Sequence, residues 1–333
     1  MQLNAMPLRS RLARAALTLA TALAAFGTAL AADPPAVAGT AEVAPLAPST
    51  HKPLLWKVSD ADNSLYLLGS IHILKPDDYP LSADIDAALD DAEHVMFEVD
   101  MQSMAAPESL GKMQQVMLAS DGQTMSARLS PQSREQLEAM LAASGSSIAM
   151  VEAYDPWALN LSIALGIMQS MGFQAEMGVD RHIDARARAK GKTLGALETL
   201  DAQFDILDAA PMAEQLQGLE EFLAHPERMA AELDVMHRAW LSGDIDTLDK
   251  TLRAEFAADS PATYRQINVA RNDRWIPLLE ARLKEHAGDN TLAVVGAMHL
   301  LGSDGVIEKL RARGYRVERV CSACSKPPAA AKD

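Results

Sequence analysis

Two histidines that lie far apart in the chain follow the same short pattern of residues. His72 and His299 each stand three positions after a glycine, at the end of an apolar run. The two runs align without a gap, LYLLGSIHIL at 65–74 with LAVVGAMHLL at 292–301. An imidazole can bind a divalent cation, act as a general base or form a hydrogen bond in a turn. Two imidazoles in matching frames favour a shared functional site over two separate turn residues.

The glycines of this pattern indicate how the histidines could reach one place. Gly69 and Gly296 each remove a side chain near the end of a predicted strand, which permits a turn or a close approach of the backbone. In open α/β sheets, ligands bind at the carboxyl ends of the strands. We therefore expect His72 and His299 to leave two strands of one sheet and to converge.

A carboxylate is a third candidate for the same site. Glu98 lies near the end of the apolar run HVMFEV at 94–99, where a charge is costly unless it is paired or binds a metal. A salt bridge to an arginine of the helical region is the structural alternative. Together with His72 and His299, Glu98 makes a set of two histidines and one carboxylate that suits a catalytic divalent cation. Such a cation activates water for hydrolysis.

The elements that position these residues predict an α/β domain over residues 52–321. We expect a central mixed β-sheet with surrounding helices and a large helical insertion, which forms a cap at about 104–288. One short stretch inside the cap, 193–197, has the composition of an inner strand. At the start of the domain we expect a hairpin of two strands, 54–58 and 65–73, followed by a helix from Ser82 and a strand at 94–99. At the end we expect a strand at 292–295, a helix at 303–313 and a strand at 315–320.

Composition excludes several classes of protein. The chain has 333 residues, of which 49% are apolar and 23% charged, and its formal net charge is −15. An acidic surface repels phosphate backbones, so we expect no nucleic acid among the partners. The two cysteines, Cys321 and Cys324, form a C-x-x-C pair that could be a redox site, half of a metal site or a small disulfide. Their place after the last predicted strand, with no second pair, favours the disulfide.

The first residues of the chain have the features of a secretory signal peptide. Three arginines precede an apolar run that ends in Ala-Leu-Ala at residue 31, so 1–31 is interpreted as the cleaved segment. Residues 32–51 are rich in proline and alanine and predict a disordered linker, and 322–333 predict a disordered tail. We expect a periplasmic or secreted protein with no membrane span after signal removal.

Taken together, these motifs resemble the TraB/GumN family. The resemblance rests on the paired Gly-x-x-His motifs and Glu98, and on further stretches spread over about 52–320: Tyr79-Pro80-Leu81, Gly178-Val179-Asp180, Leu197-Glu198-Thr199 and Arg271-Asn272. The family includes the Tiki proteins, which are regarded as metal-dependent proteases, and is related to erythromycin-esterase-like and haem-binding ChaN-like proteins. The resemblance thus implies a fold like that of the esterase and ChaN-like proteins.

The resemblance also implies roles for particular residues. It makes His72, His299 and Glu98 the metal-site or catalytic residues, with Mn²⁺ or Co²⁺ favoured over Zn²⁺. Glu98 would be either a ligand or the general base. Arg271 is a candidate catalytic residue that could stabilise an oxyanion, with an ion pair as its alternative. Asp180 could orient a histidine or cap a helix. One departure from the family pattern is Ala270, where an acid often precedes the Arg-Asn pair.

The function expected from these residues is a secreted metal-dependent hydrolase, above all a peptidase acting on peptides or proteins. A non-catalytic periplasmic protein that binds haem or metal is an alternative from a different class. An accessory role in the export of envelope polysaccharide is a third. The usual H-E-x-x-H helix, the G-x-S-x-G motif, the P-loop and the G-x-G-x-x-G motif are absent from the sequence.

Overall fold

A computed structural model of the chain describes residues 51–324. The predicted signal peptide at 1–31, nearly all of the linker and the tail from residue 325 lie outside the described residues. The first residues of the expected tail, Ser322–Cys324, form a 3-10 turn. A disulfide joins Cys321 to Cys324, with Cα atoms 5.3 Å apart.

The centre of the described fold is a mixed sheet of six strands in the order β4-β3-β5-β2-β1-β6. Strands β4, β3, β5 and β2 are parallel, whereas β1 pairs antiparallel with both β2 and β6. The predicted α/β fold is therefore confirmed. The strands are β1 Leu55–Ser59, β2 Ser64–Ser70, β3 His94–Phe97, β4 Thr193–Ala196, β5 Thr291–Gly296 and β6 Arg316–Arg319.

One strand lies elsewhere than its composition indicated. We expected an inner strand at 193–197, but among the described strands β4 is at the edge of the sheet and pairs with β3 alone. Its residues are partly exposed, whereas every residue of β2 and β5 is buried. Near-continuous apolar runs are typical of parallel strands covered on both faces, and β2 and β5 meet this condition because they lie in the middle.

Helices cover the sheet, and most of them lie between β3 and β5. They start with α1 Ala83–Asp91, which has Ser82 as its N-cap, and end with α15 Val306–Ala312. The helices of the cap are α2 Met101–Ala105, α3 Pro107–Val116, α4 Met125–Arg128, α5 Pro131–Ala143, α6 Pro156–Ser170, α7 Val179–Ala189, α8 Leu200–Asp208, α9 Met212–Ala224, α10 Pro226–Ser242, α11 Ile245–Leu248, α12 Glu255–Asp259, α13 Pro261–Tyr264 and α14 Ala270–Glu285. Between residues 51 and 324, none of the helices has both the length and the apolar character needed to span a membrane.

His94 makes the stability of the fold depend on pH. Its imidazole is at the start of β3, away from the carboxyl ends of the parallel strands. Burial, followed by the positive charges of Arg282 and His286, lowers the pKa of His94 to about 4. The unfolded chain therefore binds a proton here below about pH 6.5, while the folded chain does so only near pH 4. Acidification between these values favours the unfolded state.

We expect the variant His94→Gln to lose less stability on acidification than the unmodified chain. One proton is worth at most about 1.4 kcal/mol per pH unit, and less here because the ring is partly exposed. Urea unfolding between pH 7 and pH 4.5 would measure the two slopes. At the pH 7 end of this range, the free energies of unfolding of the variant and of the unmodified chain should change with pH at the same slope. Identical slopes below pH 6.5 would contradict the assignment.

Candidate functional site

Three adjacent parallel strands end at the same edge of the sheet, and each delivers one candidate residue. His72 follows β2, Glu98 follows β3 directly, and His299 lies in the 3-10 turn Ala297–Leu300 after β5. In register, the last residue of β2 is opposite the last residue of β5. Strand β5 lies between β3 and β2, so the three side chains leave adjacent strands at the same edge of the sheet.

The groups meet around Gly296, the last residue of β5. A Cβ atom at this position would lie 3.2 Å from Nε2 of His72, 3.3 Å from Oε1 of Glu98 and 3.7 Å from Cδ2 of His299. The backbone N–H of Gly296 donates to Oε1 of Glu98 at 2.7 Å. Glycine is needed here because any side chain would fill the space that the three groups face.

A buried carboxylate fixes the orientation of His72. Nδ1 of His72 lies 2.6 Å from Oδ2 of Asp180, whose other oxygen accepts the hydroxyl hydrogen bond of Ser70 at 3.0 Å. Nε2 of His72 is buried and has no hydrogen-bond partner within residues 51–324. Burial disfavours the imidazolium, but the charge of Asp180 and its hydrogen bond outweigh burial and raise the pKa of His72. Asp180 thus contacts a histidine instead of capping α7, whose N-cap is Gly178.

An amide fixes the orientation of His299 in the same way. Nδ1 of His299 lies 2.6 Å from Oδ1 of Asn272, and the amide nitrogen of Asn272 donates to the carbonyl oxygen of Asp304 at 2.9 Å. Nδ1 is therefore the donor, and Nε2 carries the lone pair. Burial lowers the pKa of His299 to about 3, which keeps the ring neutral. Histidines that bind metals are commonly held through their second nitrogen, as His72 and His299 are here.

Arg271 lies between the candidate ligands. It follows the π-helical turn Arg265–Val269 at the start of α14. Nη2 of Arg271 donates to Oε2 of Glu98 at 2.5 Å and to Oε1 of Glu198 at 2.6 Å, and Nη1 lies 3.1 Å from Nε2 of His299. Although burial opposes it, the charge of Arg271, supported by the hydrogen bond from the N–H of Gly296, lowers the pKa of Glu98 to about 2.

The donor types and the charge of the site fit a divalent cation. The buried cluster holds three carboxylates, Glu98, Glu198 and Asp180, against one guanidinium. Among the buried groups, one negative charge therefore remains in excess when His72 is protonated, and the half-exposed Arg274 lies 3.9 Å from Oε2 of Glu198. Two ligands at about 2.0–2.2 Å from one ion lie roughly 3–4 Å apart, and Nε2 of His299 is 3.8 Å from Oε1 of Glu98.

The arrangement is nevertheless not a closed metal site. Within residues 51–324, no three His, Cys, Asp or Glu side chains are grouped so as to hold a metal ion as they stand. The guanidinium of Arg271 takes up contacts that a cation would need at Glu98 and His299. A cation that binds both residues therefore has to displace these contacts.

Four residues of the site had no role assigned from the sequence. Glu198 accepts hydrogen bonds from Arg271 and, at 3.3 Å, from Nε1 of Trp275. The ring of Trp275 is fully buried and its centroid is 4.4 Å from that of His299. The other two are Asn272 and Gln203, whose amide is 3.4 Å from Oε2 of Glu98. Glu198 and Asn272 stand in motifs that signalled the resemblance, which was the available signal.

The remaining residues predicted for the site support it from the backbone. Gly69 donates its N–H to the carbonyl oxygen of Leu54 at 2.8 Å, and its own carbonyl oxygen accepts from Nε1 of Trp240 at 2.9 Å. These bonds hold the end of β2 against α10. The disulfide at Cys321 makes no contact with the site among the hydrogen bonds of the described residues.

The loop that carries His72 packs closely on the start of α7. The N–H of Val179 donates to the carbonyl oxygen of Ile71 at 3.0 Å. A Cβ atom at Gly178 would overlap the backbone carbonyl of His72. We expect Gly178→Ala to destabilise the fold by about 1–3 kcal/mol through overpacking and to displace His72, which urea unfolding and cation titration would measure.

Gly166→Ala is the matched control for this substitution. Gly166 lies inside α6, and a Cβ atom there would have no heavy atom within 4 Å. Alanine should therefore stabilise the helix by roughly 0.5–1 kcal/mol and leave cation binding unchanged. If both alanine variants were equally stable, the close approach at Gly178 would not be a constraint.

The fold and the site define an α/β protein with a buried polar centre at the carboxyl ends of its parallel strands. The sequence profile of the TraB/PrgY/gumN family matches residues 54–319, and the chain belongs to this family. The chain is 24% identical over 246 residues to a protein of Escherichia coli (strain K12) named "Uncharacterized protein YbaP", which covers 74% of this chain and 87% of the relative. A Shigella flexneri protein of the same name gives the same figures. No solved structure matches the chain.

Proposed function

We propose that the chain is a metal-dependent hydrolase, above all a peptidase, that holds a divalent cation with His72, His299 and Glu98. The observation that carries this proposal is Nε2 of His72, a buried nitrogen that no described residue hydrogen-bonds, and that lies with Oε1 of Glu98 beside the missing side chain of Gly296. The excess of buried carboxylates supports a cation as the missing partner. The resemblance to the family favours Mn²⁺ or Co²⁺.

A cation bound here would polarise a substrate carbonyl and make water a better nucleophile near neutral pH. The residues of the chain supply the positioning. Asp180 and Asn272 hold Nδ1 of the two histidines, so that both Nε2 atoms point into the site. Glu98 serves either as a ligand or as the general base that takes a proton from water.

Arg271 and the walls of the cavity would act on the substrate. A guanidinium beside the reacting carbonyl can stabilise a developing oxyanion, and Arg271 is the guanidinium that contacts Glu98 and His299. A small cavity joins the site to the start of the helical cap. Its lining mixes polar and apolar side chains: His72, Glu98, Asp180, Arg181, Gln203, Phe97, Val99, Met101 and Met104. This mixed lining suits a peptide with an apolar side chain next to the cleaved bond.

The test is turnover by the purified chain. We expect Mn²⁺ or Co²⁺ to support cleavage within a mixture of peptides followed by mass spectrometry, and a chelator to abolish it. The variant Gly166→Ala should cleave as the unmodified chain does. Absence of cleavage with every cation, together with a haem Soret band on titration, would instead support the non-catalytic binding protein.

The proposal includes export and removal of the first residues. Cleavage after Ala31 would give a mature chain that begins at Ala32 and lies in the periplasm or outside the cell. N-terminal sequencing of the protein from a fractionated bacterial host would measure this. An intact N-terminus in the cytoplasmic fraction would contradict it.

A further inference from the structure

The guanidinium of Arg271 lies where positive charge is needed in the site. Its Nη2 contacts Oε2 of Glu98 at 2.5 Å, and its Nη1 lies 3.1 Å from Nε2 of His299. These are two of the three groups proposed to hold the cation. A buried carboxylate without a compensating charge is strongly destabilising. Arg271 therefore neutralises the same atoms that a divalent cation would neutralise.

A second carboxylate holds Arg271 independently of the proposed ligands. Oε1 of Glu198 accepts from Nε at 2.9 Å and from Nη2 at 2.6 Å, and the side chain of Glu198 is 5% exposed. The guanidinium also lies 4.7 Å from the ring centre of Trp275. The guanidinium of Arg271 would thus keep its ion pair with Glu198 and its contact with Trp275 after its contacts with Glu98 and His299 are lost.

We propose that Arg271 is a resident cation that occupies the site until a divalent cation displaces it onto Glu198. This inference rests on the proposed function. In the cation-free chain, Arg271 satisfies Glu98 and His299. When the divalent cation takes these two groups, Glu198 keeps the buried guanidinium paired. Arg271 competes with the cation, and Glu198 favours binding by retaining the competitor.

The two residues should therefore change cation affinity in opposite directions. Removing the competitor with Arg271→Gln should raise the affinity for Mn²⁺, and Glu198→Gln should lower it, each by on the order of tenfold. The first variant should also have a lower melting temperature than the unmodified chain in chelator, and this difference in melting temperature should be smaller in Mn²⁺. If the pair were only a structural ion pair, both substitutions would weaken binding.

Calorimetric titration with Mn²⁺ and thermal unfolding with and without chelator test this. Arg134→Gln is the matched control, since Arg134 lies on α5 with a side chain that is 51% exposed and pairs with Glu138. It removes the same charge and should change the affinity less than about twofold.

The outcomes separate the two proposals. If the unmodified chain binds no divalent cation, the proposed function fails and this inference fails with it. If the chain binds Mn²⁺ but Arg271→Gln weakens binding, the resident-cation role is wrong and the proposed function stands. Should that variant not fold, Glu198→Gln decides, because unchanged or tighter binding would overturn the inference.

Discussion

Alanine at either His72 or His299 should lower the affinity for Mn²⁺ or Co²⁺ by more than about 100-fold, because loss of an outer hydrogen-bond partner alone costs roughly 10–100-fold. His72 presents Nε2 to the space at Gly296, and Nε2 of His299 lies 3.8 Å from Oε1 of Glu98. Calorimetric titration would measure the loss, and peptide cleavage should disappear with it.

His225→Ala is the control for this pair. His225 lies at the junction of α9 and α10 with a side chain that is 33% exposed. Its removal should leave the affinity unchanged. If only one of the two site variants lost affinity, the other histidine would have a structural role. If neither variant lost affinity, the cation would bind elsewhere.

Alanine at Trp275 should destabilise the fold by about 3–5 kcal/mol and also weaken cation binding. The indole is fully buried and packs on His299 and Arg271, and its N–H donates to Glu198. Removing it leaves a cavity beside one proposed ligand. Urea unfolding and Mn²⁺ titration of the same variant would measure the two effects.

Trp157→Ala separates the two effects of Trp275. Trp157 is 4% exposed and lies in α6, outside the site, so its loss should cost similar stability with little change in affinity. Trp275→Phe keeps the aromatic packing but leaves Glu198 with one donor fewer, at a cost of roughly 1–2 kcal/mol. Equal loss of affinity at Trp157 and Trp275 would mean that both act only through global stability.

The central strands were predictable because their sequences are consistent with their places in the sheet. The apolar runs around Asp60–Asn63 predict a hairpin, and β1 and β2 form one. The repeated Gly-x-x-His pattern indicated two strands with a shared edge, and β2 and β5 are adjacent and parallel. Each of these predictions rests on a local signal that burial in the sheet reinforces.

The position of β4 could not be read from its sequence. Four residues with an apolar and small composition fit an inner or an edge strand equally well, since the pairing partner decides between them. The strand lies at the edge because the connections leave β3 with one free side.

The partners of the site residues were also hidden, since they depend on contacts over long separations. Glu98 was expected to bind a metal or to pair with an arginine, and its carboxylate contacts both Arg271 and the space at Gly296. Glu198 has no strand periodicity or spacing that marks it as buried. Apart from the motif Leu197-Glu198-Thr199, its role follows from its contacts with Arg271 and Trp275 of α14.

Anomalous diffraction from crystals grown or soaked in Mn²⁺ would locate the cation directly. We predict a single strong peak within coordination distance of Nε2 of His72, Nε2 of His299 and the carboxylate of Glu98. In the same crystals, Arg271 should keep its contact with Glu198 and lose its contact with Glu98. Saturating Mn²⁺ that gives no peak beside Gly296, or a peak on other residues only, would contradict the metal-dependent mechanism.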